Sequence, residues 1–313
     1  MKNKQIHPKN ISEAALILRS GKLCSFPTET VYGLGADAND DNAVLAIYQT
    51  KNRPNFNPLI IHCADMEMAK TLVDFSPLAL ELAQFWPGPL TLVLPKKKTA
   101  PISDLVSAGL NTLAIRIPAN KIAHELLKAT GRPLAAPSAN PSGKLSPTNA
   151  QMVIKSFENK VPVLDGGACE AGLESTILTI NDNEIIQLRA GAIAREDIEE
   201  KIAKIIKIAK QDDKISAPGM MKSHYAPSAS LRLNVNNPNP DEAYLAFGKT
   251  QNLPNPIKNL SPLGDLKEAA KNLFSYLNEL DDGKIKKIAV APIPNQGLGE
   301  AINDRLKRAS TPR

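Results

Sequence analysis

Cysteine is scarce in this chain, with three in 313 residues. Cys24, Cys63 and Cys169 lie far apart and never in a C-x-x-C spacing. That argues against a disulfide framework and against a cysteine-rich zinc site, and leaves them as small buried hydrophobes. Long apolar runs are missing too. No uninterrupted stretch reaches the roughly 18–20 residues of a membrane helix. The opening MKNKQIHPKN carries positive charge with no apolar core behind it, unlike a secretory signal. The expectation is a cytoplasmic protein with no membrane partner. The phosphate loop G-x-x-x-x-G-K-[ST] is absent, which excludes an ordinary P-loop enzyme. The sequence shows neither an internal repeat nor a low-complexity tract.

What the chain does have is length for two domains, at roughly 100–200 residues each. Its composition, 42% hydrophobic and 22% charged, is that of a globular protein. The formal charge is +6, with a pI near 9.1. A mild basic excess suits phosphate-bearing partners such as nucleotides or RNA. The runs Lys96-Lys97-Lys98 and 284–287 fit a solvated surface equally well.

Through residue 209, short β-rich runs alternate with helical periods. Helical spacing covers 12–20, ending at Gly21, and 41–51, where Ala43, Ile47 and Tyr48 share overlapping faces. Strands are expected at 23–26, 59–62, 90–94, 113–117, 134–136, 161–164, 175–180 and 185–188. This mixture implies an α/β domain with a substantial mixed sheet. A last amphipathic helix is expected over 195–208, from Ile198, Ile202, Ile205 and Ile206. Pro218, Gly219 and Pro227 then mark a non-helical connector. Strands at 231–235, 243–247 and 285–291, with helices at 266–280 and 299–309, make a second, smaller α/β domain. The division expected is 1–209, a linker at 210–229, and 230–313.

Four segments pack polar residues among prolines and glycines. In 26–35, the Thr28 and Thr30 hydroxyls could bind a small substrate, with Gly33 and Gly35 letting the backbone approach it; they could equally satisfy a capped turn. In 51–59, Lys51 and Arg53 pair a point charge with a planar fork, as a triphosphate requires, or simply offset a helix C-terminus. His62 follows on a strand. In 135–148, hydroxyls and an Asn between prolines offer rigid donors for phosphate or ribose, though such residues are also common in turns. In 165–176, glycines suggest a loop lying against a ligand, or a long β-connection. The Gly297-Leu-Gly299 turn reads better as a strand-to-helix turn than as an anion site.

Together these segments resemble the threonylcarbamoyl-AMP synthase family, in its two-domain form. The resemblance rests on P-T-E-T-x-Y-G-L-G at 27–35, K-x-R-P-x-x-x-P-L at 51–59 and R-x-P at 116–118. P-S-A-N-x-S-G at 137–143, E-S-T-I at 174–177, L-R-x-G at 188–191 and P-G-M-x-x-x-H-Y-A-P at 218–227 extend it. Gly297-Leu-Gly299 with Asn303-Asp-Arg305-Leu306 carries it into the second domain.

The resemblance implies a YrdC-like twisted mixed sheet with helices, joined by an extended linker to a smaller Rossmann-like α/β domain. It implies a nucleotidyltransferase that converts ATP, L-threonine and bicarbonate or CO2 into threonylcarbamoyl-AMP and pyrophosphate. The product would serve threonylcarbamoyladenosine synthesis beside the anticodon of tRNA, completed by a tRNA threonylcarbamoyl transferase complex. Thr30, His62, Arg116, Ala136 and Ser175 match the family's threonine site, with Arg116 taking the carboxylate. Lys51, Arg53, Ser138 and Asn140 match its catalytic K-x-R and S-x-N signature at ATP. Asn57, Thr112, Ser146 and Arg189 are further nucleotide contacts. His224 and Tyr225 belong to a connector expected to act as a lid over ATP, keeping water from a labile carbamoyl-adenylate. Mg2+ would arrive bridging the phosphates, with few or no dedicated protein carboxylates.

Two rivals exist. A basic concave surface could bind double-stranded RNA in RNA or ribosome maturation, which would not require a Thr/His/Arg/Ser set suited to an amino acid. Carbamoyl-transferring maturation proteins also carry a YrdC-like domain, but with cysteine pairs that this chain lacks.

Overall fold

The computed structural model describes residues 7–209, 224–250 and 257–311. Most of the connector, 210–223, lies outside the described residues, so the lid expectation meets the structure only at His224 and Tyr225.

The first unit opens with α1 (Ile11–Arg19), β1 (Cys24–Phe26), β2 (Gly33–Asp37), α2 (Asp41–Lys51) and β3 (Ile60–His62). It continues through α3 (Met66–Leu72), α4 (Pro77–Leu82), β4 (Leu90–Pro95), α5 (Asp104–Ser107) and β5 (Thr112–Arg116). Then come α6 (Lys121–Thr130), β6 (Leu134–Ala135), α7 (Ala150–Ser156), β7 (Thr176–Asn181), β8 (Glu184–Arg189), α8 (Arg195–Ile202) and β9 (Ile206–Ile208). The second unit holds β10 (Ser230–Arg232), β11 (Ala243–Ala246), β12 (Ile257–Asn259), α9 (Leu266–Leu280), β13 (Lys287–Val290) and α10 (Leu298–Ser310).

Local chemistry sets many of the helix starts. Asn10, Asp40, Asp65, Ser76, Asn120, Asn149 and Asp265 each accept a backbone N–H of the following first turn. Gly297 opens α10 at φ 53°, and a Cβ on Gly299 would lie 1.8 Å from the Pro294 carbonyl oxygen. Both glycines therefore serve the tight strand-to-helix turn.

The first nine strands form one mixed sheet in the order β1-β2-β6-β3-β5-β4-β7-β8-β9. β3 runs parallel to β5 with His62 opposite Arg116, and both lie near the sheet's centre. The fold is thus the mixed α/β sheet expected. The second unit is an all-parallel sheet, β10-β13-β11-β12. Its core packs Leu273, Phe274 and Leu277 of α9 against Leu245, Ile288 and Val290, each such side chain contributing roughly 1.5–3 kcal/mol on burial. Val31, Leu145, Met152 and Leu173 of the first unit join that same cluster, so the two units share apolar contacts.

Three local expectations change. Residues 195–208 are not one helix: α8 stops at Ile202 because Ala203 adopts a left-handed conformation, φ 51°, and Ile206–Ile208 becomes β9, parallel to β8. The Glu199 carboxylate accepts the Ile206 N–H at the switch, and Ile205 is left 84% exposed. Residues 161–164 are not a full strand. Pro162 has no N–H, and only a bridge between Val163 and Ser25 forms, flanked by Ser25 N–H to Pro162 O and Leu164 N–H to Ser25 O. Residues 33–37 of the first polar segment are themselves β2, paired with β1. Gly35 is needed there for packing, since a Cβ would meet the Phe26 ring at 2.7 Å.

Candidate active site

One cleft gathers most of the predicted residues. Its walls are Thr30 from the loop after β1, Arg53 beyond α2, His62 at the end of β3 and Arg116 at the end of β5. Ala136 and Ser138 follow β6, Ser175 precedes β7, Arg189 ends β8, and His224 with Tyr225 closes the space.

Arg116 is held as a fork. Its Nη1 donates to Thr30 Oγ1 at 2.8 Å and its Nε to the Gly88 carbonyl at 3.1 Å. Nη2 stands 2.7 Å from Glu29 Oε1 as an ion pair, without the alignment of a hydrogen bond, so hydrogen-bonding capacity remains on both atoms. Burial pushes the Glu29 carboxyl up, but the Arg116 charge and backbone donors prevail and hold it below the ordinary carboxylate range. Thr28 fixes this loop by donating to the Val31 carbonyl at 2.6 Å and bonding Thr30 at 2.7 Å. His62 lies beside the pair, edge-on to Phe26, with no hydrogen-bond partner at Nδ1 among the described residues.

Arg53 is buried, its Nε donating to Asn57 O and its Nη2 to Pro58 O, which ties down the loop behind α2. Nη1 makes no hydrogen bond among the described residues. Burial lowers its pKa to about 10, which leaves it charged at neutral pH. Arg189 forks onto Ser175, reaching the carbonyl with Nε and Nη2 and Oγ with Nη2. Ser175 Oγ also bonds Thr91 at 2.7 Å. The turn is tight: a Cβ on Gly191 would fall 2.3 Å from the Ser175–Thr176 backbone.

The remaining predicted residues do not line the cleft. Lys51, 1% exposed, passes behind its wall and donates from Nζ to the carbonyls of Ser138, at 2.6 Å, and Asn140. Burial pushes its pKa well down, followed by the Arg53 charge. Asn140 Nδ2 bonds the Pro141 and Lys144 carbonyls, which shapes that loop. Asn57 presents its carbonyl to Arg53, and Ser146 stands behind Glu174 and donates to it. Thr112 begins β5, at the strand's far end from Arg116, beside Pro95.

Glu29, Glu174 and Arg305 belong to the site's electrostatics although they were not among the residues first singled out. Arg305 of α10 donates from Nε to Glu174 Oε2 at 2.9 Å. The two acids sat inside recognised motifs, but nothing local distinguishes a carboxylate that faces a cleft arginine from one on a turn. Tyr225 is 1% exposed and held at φ 61°, a left-handed conformation that costs a bulky residue roughly 1–3 kcal/mol.

Two family models divide the chain. One described as "Telomere recombination" matches residues 16–191, and one described as "Threonylcarbamoyl-AMP synthase, C-terminal domain" matches 193–311. A threonylcarbamoyl-AMP synthase from Pyrococcus abyssi is 40% identical, over 98% of this chain and 95% of its own. The chain belongs to the threonylcarbamoyl-AMP synthase family. Another threonylcarbamoyl-AMP synthase, from Bacillus subtilis, is 37% identical over 96% of this chain and 92% of its own. The crystal structure of P. abyssi Sua5 complexed with L-threonine superposes with a TM-score of 0.87, at 39% identity, over 96% of this chain and 94% of that one.

In this family member the two cleft histidines are uncharged at neutral pH. Burial lowers both His62 and His224 to about 3, with Arg116 adding to the shift at His62 and Arg53 and Lys51 at His224, while Glu29 and Glu174 oppose it. Glu174 is lowered to about 2: burial pushes it up, but Arg305 and Arg189 prevail. Unfolded histidine takes a proton near its ordinary 6.5, where the folded form resists, so stability is full above that pH and declines as pH falls towards 3. The depressed Glu174 acts in the same direction lower down. Its stabilisation is full above the ordinary 4.5 and is lost as pH falls through its folded value. The thermal midpoint should therefore fall on acidification from neutrality, beginning near the ordinary histidine pKa and steepening below the ordinary carboxylate one. Melts followed by circular dichroism across this range check it, and a midpoint unchanged from neutrality to about pH 5 would contradict it.

Proposed function

We propose that this chain is an L-threonylcarbamoyladenylate synthase, forming threonylcarbamoyl-AMP and pyrophosphate from L-threonine, bicarbonate or CO2, and ATP. The observation that carries the reading is one cleft that gathers two kinds of cationic group. The buried Arg116 guanidinium is held in place by Thr30, Glu29 and Gly88, with a neutral His62 in the same wall. Arg53 and Arg189 line the cleft too, with Ser138, His224 and Tyr225, and Arg189 reaches the Ser175 hydroxyl. An amino acid needs a fork for its carboxylate, and a nucleoside triphosphate needs positive charge and rigid donors. The solved relative that holds L-threonine supports threonine as the amino acid.

The chemistry follows from positioning. The threonine amine, in its neutral form, attacks the carbon of CO2 and gives up one proton to solvent water, or attacks that of bicarbonate with loss of water, and either route gives a carbamate. A carbamate oxygen then attacks the α-phosphorus, the bond to the β-phosphate oxygen breaks, and pyrophosphate leaves. The carbamate is its own nucleophile, so its attack on phosphorus requires no general base, and a histidine held near pKa 3 would be a poor one. The protein's part is to align the two reactants and offset charge developing on the leaving group. Glu29 and Glu174 are both paired with arginine. Magnesium would accordingly be brought by ATP rather than by dedicated protein carboxylates, and would supply further charge neutralisation at the phosphates.

His224 and Tyr225 cover the cleft, and we assign the connector the role of a lid that excludes water from the adenylate. The product would pass to a transferase complex acting on tRNA in the cytoplasm. The double-stranded RNA-binding reading gains nothing from the relatives, which are named as synthases.

The test is incubation with α-labelled ATP, Mg2+ and bicarbonate, with and without L-threonine. Threonine- and bicarbonate-dependent release of pyrophosphate with a labile new adenylate is expected. Pyrophosphate release indifferent to both would refute the reading.

A further inference from the structure

The second unit reaches into the wall of the cleft through Arg305, with Phe274 and Arg308 beside it. Arg305, on α10, is 1% exposed and engages four partners at once. Its Nε pairs with Glu174, its Nη2 donates to the Ala190 carbonyl at 2.8 Å, and its guanidinium lies 5.2 Å from the centre of the Tyr225 ring. Asp304 holds the remaining arm at 2.7 Å. Tyr225 is wedged between this cation and Phe274 of α9, its ring 5.5 Å from the phenylalanine, while the His224 ring stacks edge-on at 4.0 Å. The His224 N–H in turn donates to the Arg308 carbonyl on α10. Glu174 and Tyr225 both line the cleft, so α10 grips the wall and the cover together.

We infer that Arg305 is a positioning residue for ATP: it neutralises Glu174, which would otherwise oppose the phosphates, and seats Tyr225 as the cover of the nucleotide end. The second unit thereby becomes part of the synthase site. The inference rests on the synthase reading for the identity of the reaction, but its own measure is ATP affinity. The charge argument is direct. Glu174 is a buried anion facing a space walled by Arg53 and Arg189. Without its partner the anion would stand bare in the region where a polyphosphate must enter.

The groups facing Glu174 are Arg305 from α10, Arg189 from the end of β8, Ser146 from the loop before α7, and His224 and Tyr225 after the connector. Asp304 acts through Arg305, and Arg53 and Lys51 bear on His224. Removing Arg305 leaves Arg189 as the one permanent cation acting on the acid among these groups, so the Glu174 pKa rises. Acidification then restores neutrality by protonation.

The experiment is calorimetric titration of the full chain with Mg–ATP, alongside the KM for ATP, for wild type, Arg305→Gln, Arg305→Lys and the Glu174→Gln/Arg305→Gln double variant. Arg305→Gln is expected to weaken ATP binding about tenfold or more at about pH 8. Its ratio to wild type should close as pH falls towards about 5. The double variant should recover much of the affinity and lose that pH dependence, and Arg305→Lys should lose less than Arg305→Gln. Loss of thermal stability with unchanged ATP affinity, or a loss independent of pH and not recovered in the double variant, would overturn the inference. Should Arg305→Gln fail to fold, Arg305→Lys decides: wild-type ATP affinity with a lowered thermal midpoint, or failure of that variant to fold as well, overturns it. A wild type that binds ATP yet makes no threonine-dependent adenylate would sink the synthase reading while leaving this inference decidable.

Discussion

Replacing Arg116 with alanine is expected to lower kcat/KM for threonine about 100- to 1,000-fold, with ATP affinity little changed. The magnitude follows from what the guanidinium does. It is buried at the end of a central strand, ordered by Thr30, Gly88 and Glu29, and so meets a carboxylate without first losing rotamer freedom. Its removal also leaves Glu29 a buried carboxylate without its cation, which repels the incoming carboxylate or takes up a proton. Arg116→Lys keeps the charge but not the fork, and should recover only part of the loss. Initial rates of threonine-dependent pyrophosphate release, with Mg–ATP calorimetry on the same preparations, separate the two substrates. Equal losses for threonine and ATP would count against placing the amino acid at Arg116.

Arg53→Ala should act on the other substrate, lowering kcat/KM for ATP by about 100- to 1,000-fold while threonine binding persists. Two arms of Arg53 are fixed on the Asn57 and Pro58 carbonyls, which leaves Nη1 for a ligand. Arg189, by contrast, forks onto Ser175. Lys51 is turned away onto the Ser138 and Asn140 carbonyls and orders the loop that presents Ser138. Arg53 is therefore the cation best placed for phosphate. The check is ATP dependence of pyrophosphate release, with threonine binding by calorimetry as the control. A variant whose KM for ATP and kcat both match wild type would remove Arg53 from the nucleotide site.

Much of this was legible beforehand because local rules and tertiary structure agree. The helix read over 41–51 has those bounds, set in the structure by Asp40 as N-cap and by Asn52 in a left-handed conformation. The polar segments rich in proline and glycine do converge on one cleft. Where reading failed, two structures shared one pattern. Ile198, Ile202, Ile205 and Ile206 suit a helix face, and no glycine or proline marks the turn at Ala203 that converts the last of them into a strand. Residues 161–164 look β-rich, yet Pro162 withholds the N–H that a ladder needs. Glu174 and Arg305 meet across 131 positions. No periodicity or spacing reports such a pairing, since it exists only after two units have packed together.

The register that sets His62 opposite Arg116 has a kinetic consequence. These residues end adjacent parallel strands near the middle of a nine-stranded sheet, and the Cys63 N–H is bonded to the Arg116 carbonyl at 2.8 Å. The Arg116 anchor can shift only when the sheet itself opens, a rare event on the scale of global unfolding. Arg53, by contrast, lies beyond the end of α2 and is tied down by two hydrogen bonds of its own. The geometry that meets the amino acid's carboxylate is then settled once, when the chain folds, and discrimination among amino acids rests on a fixed mould.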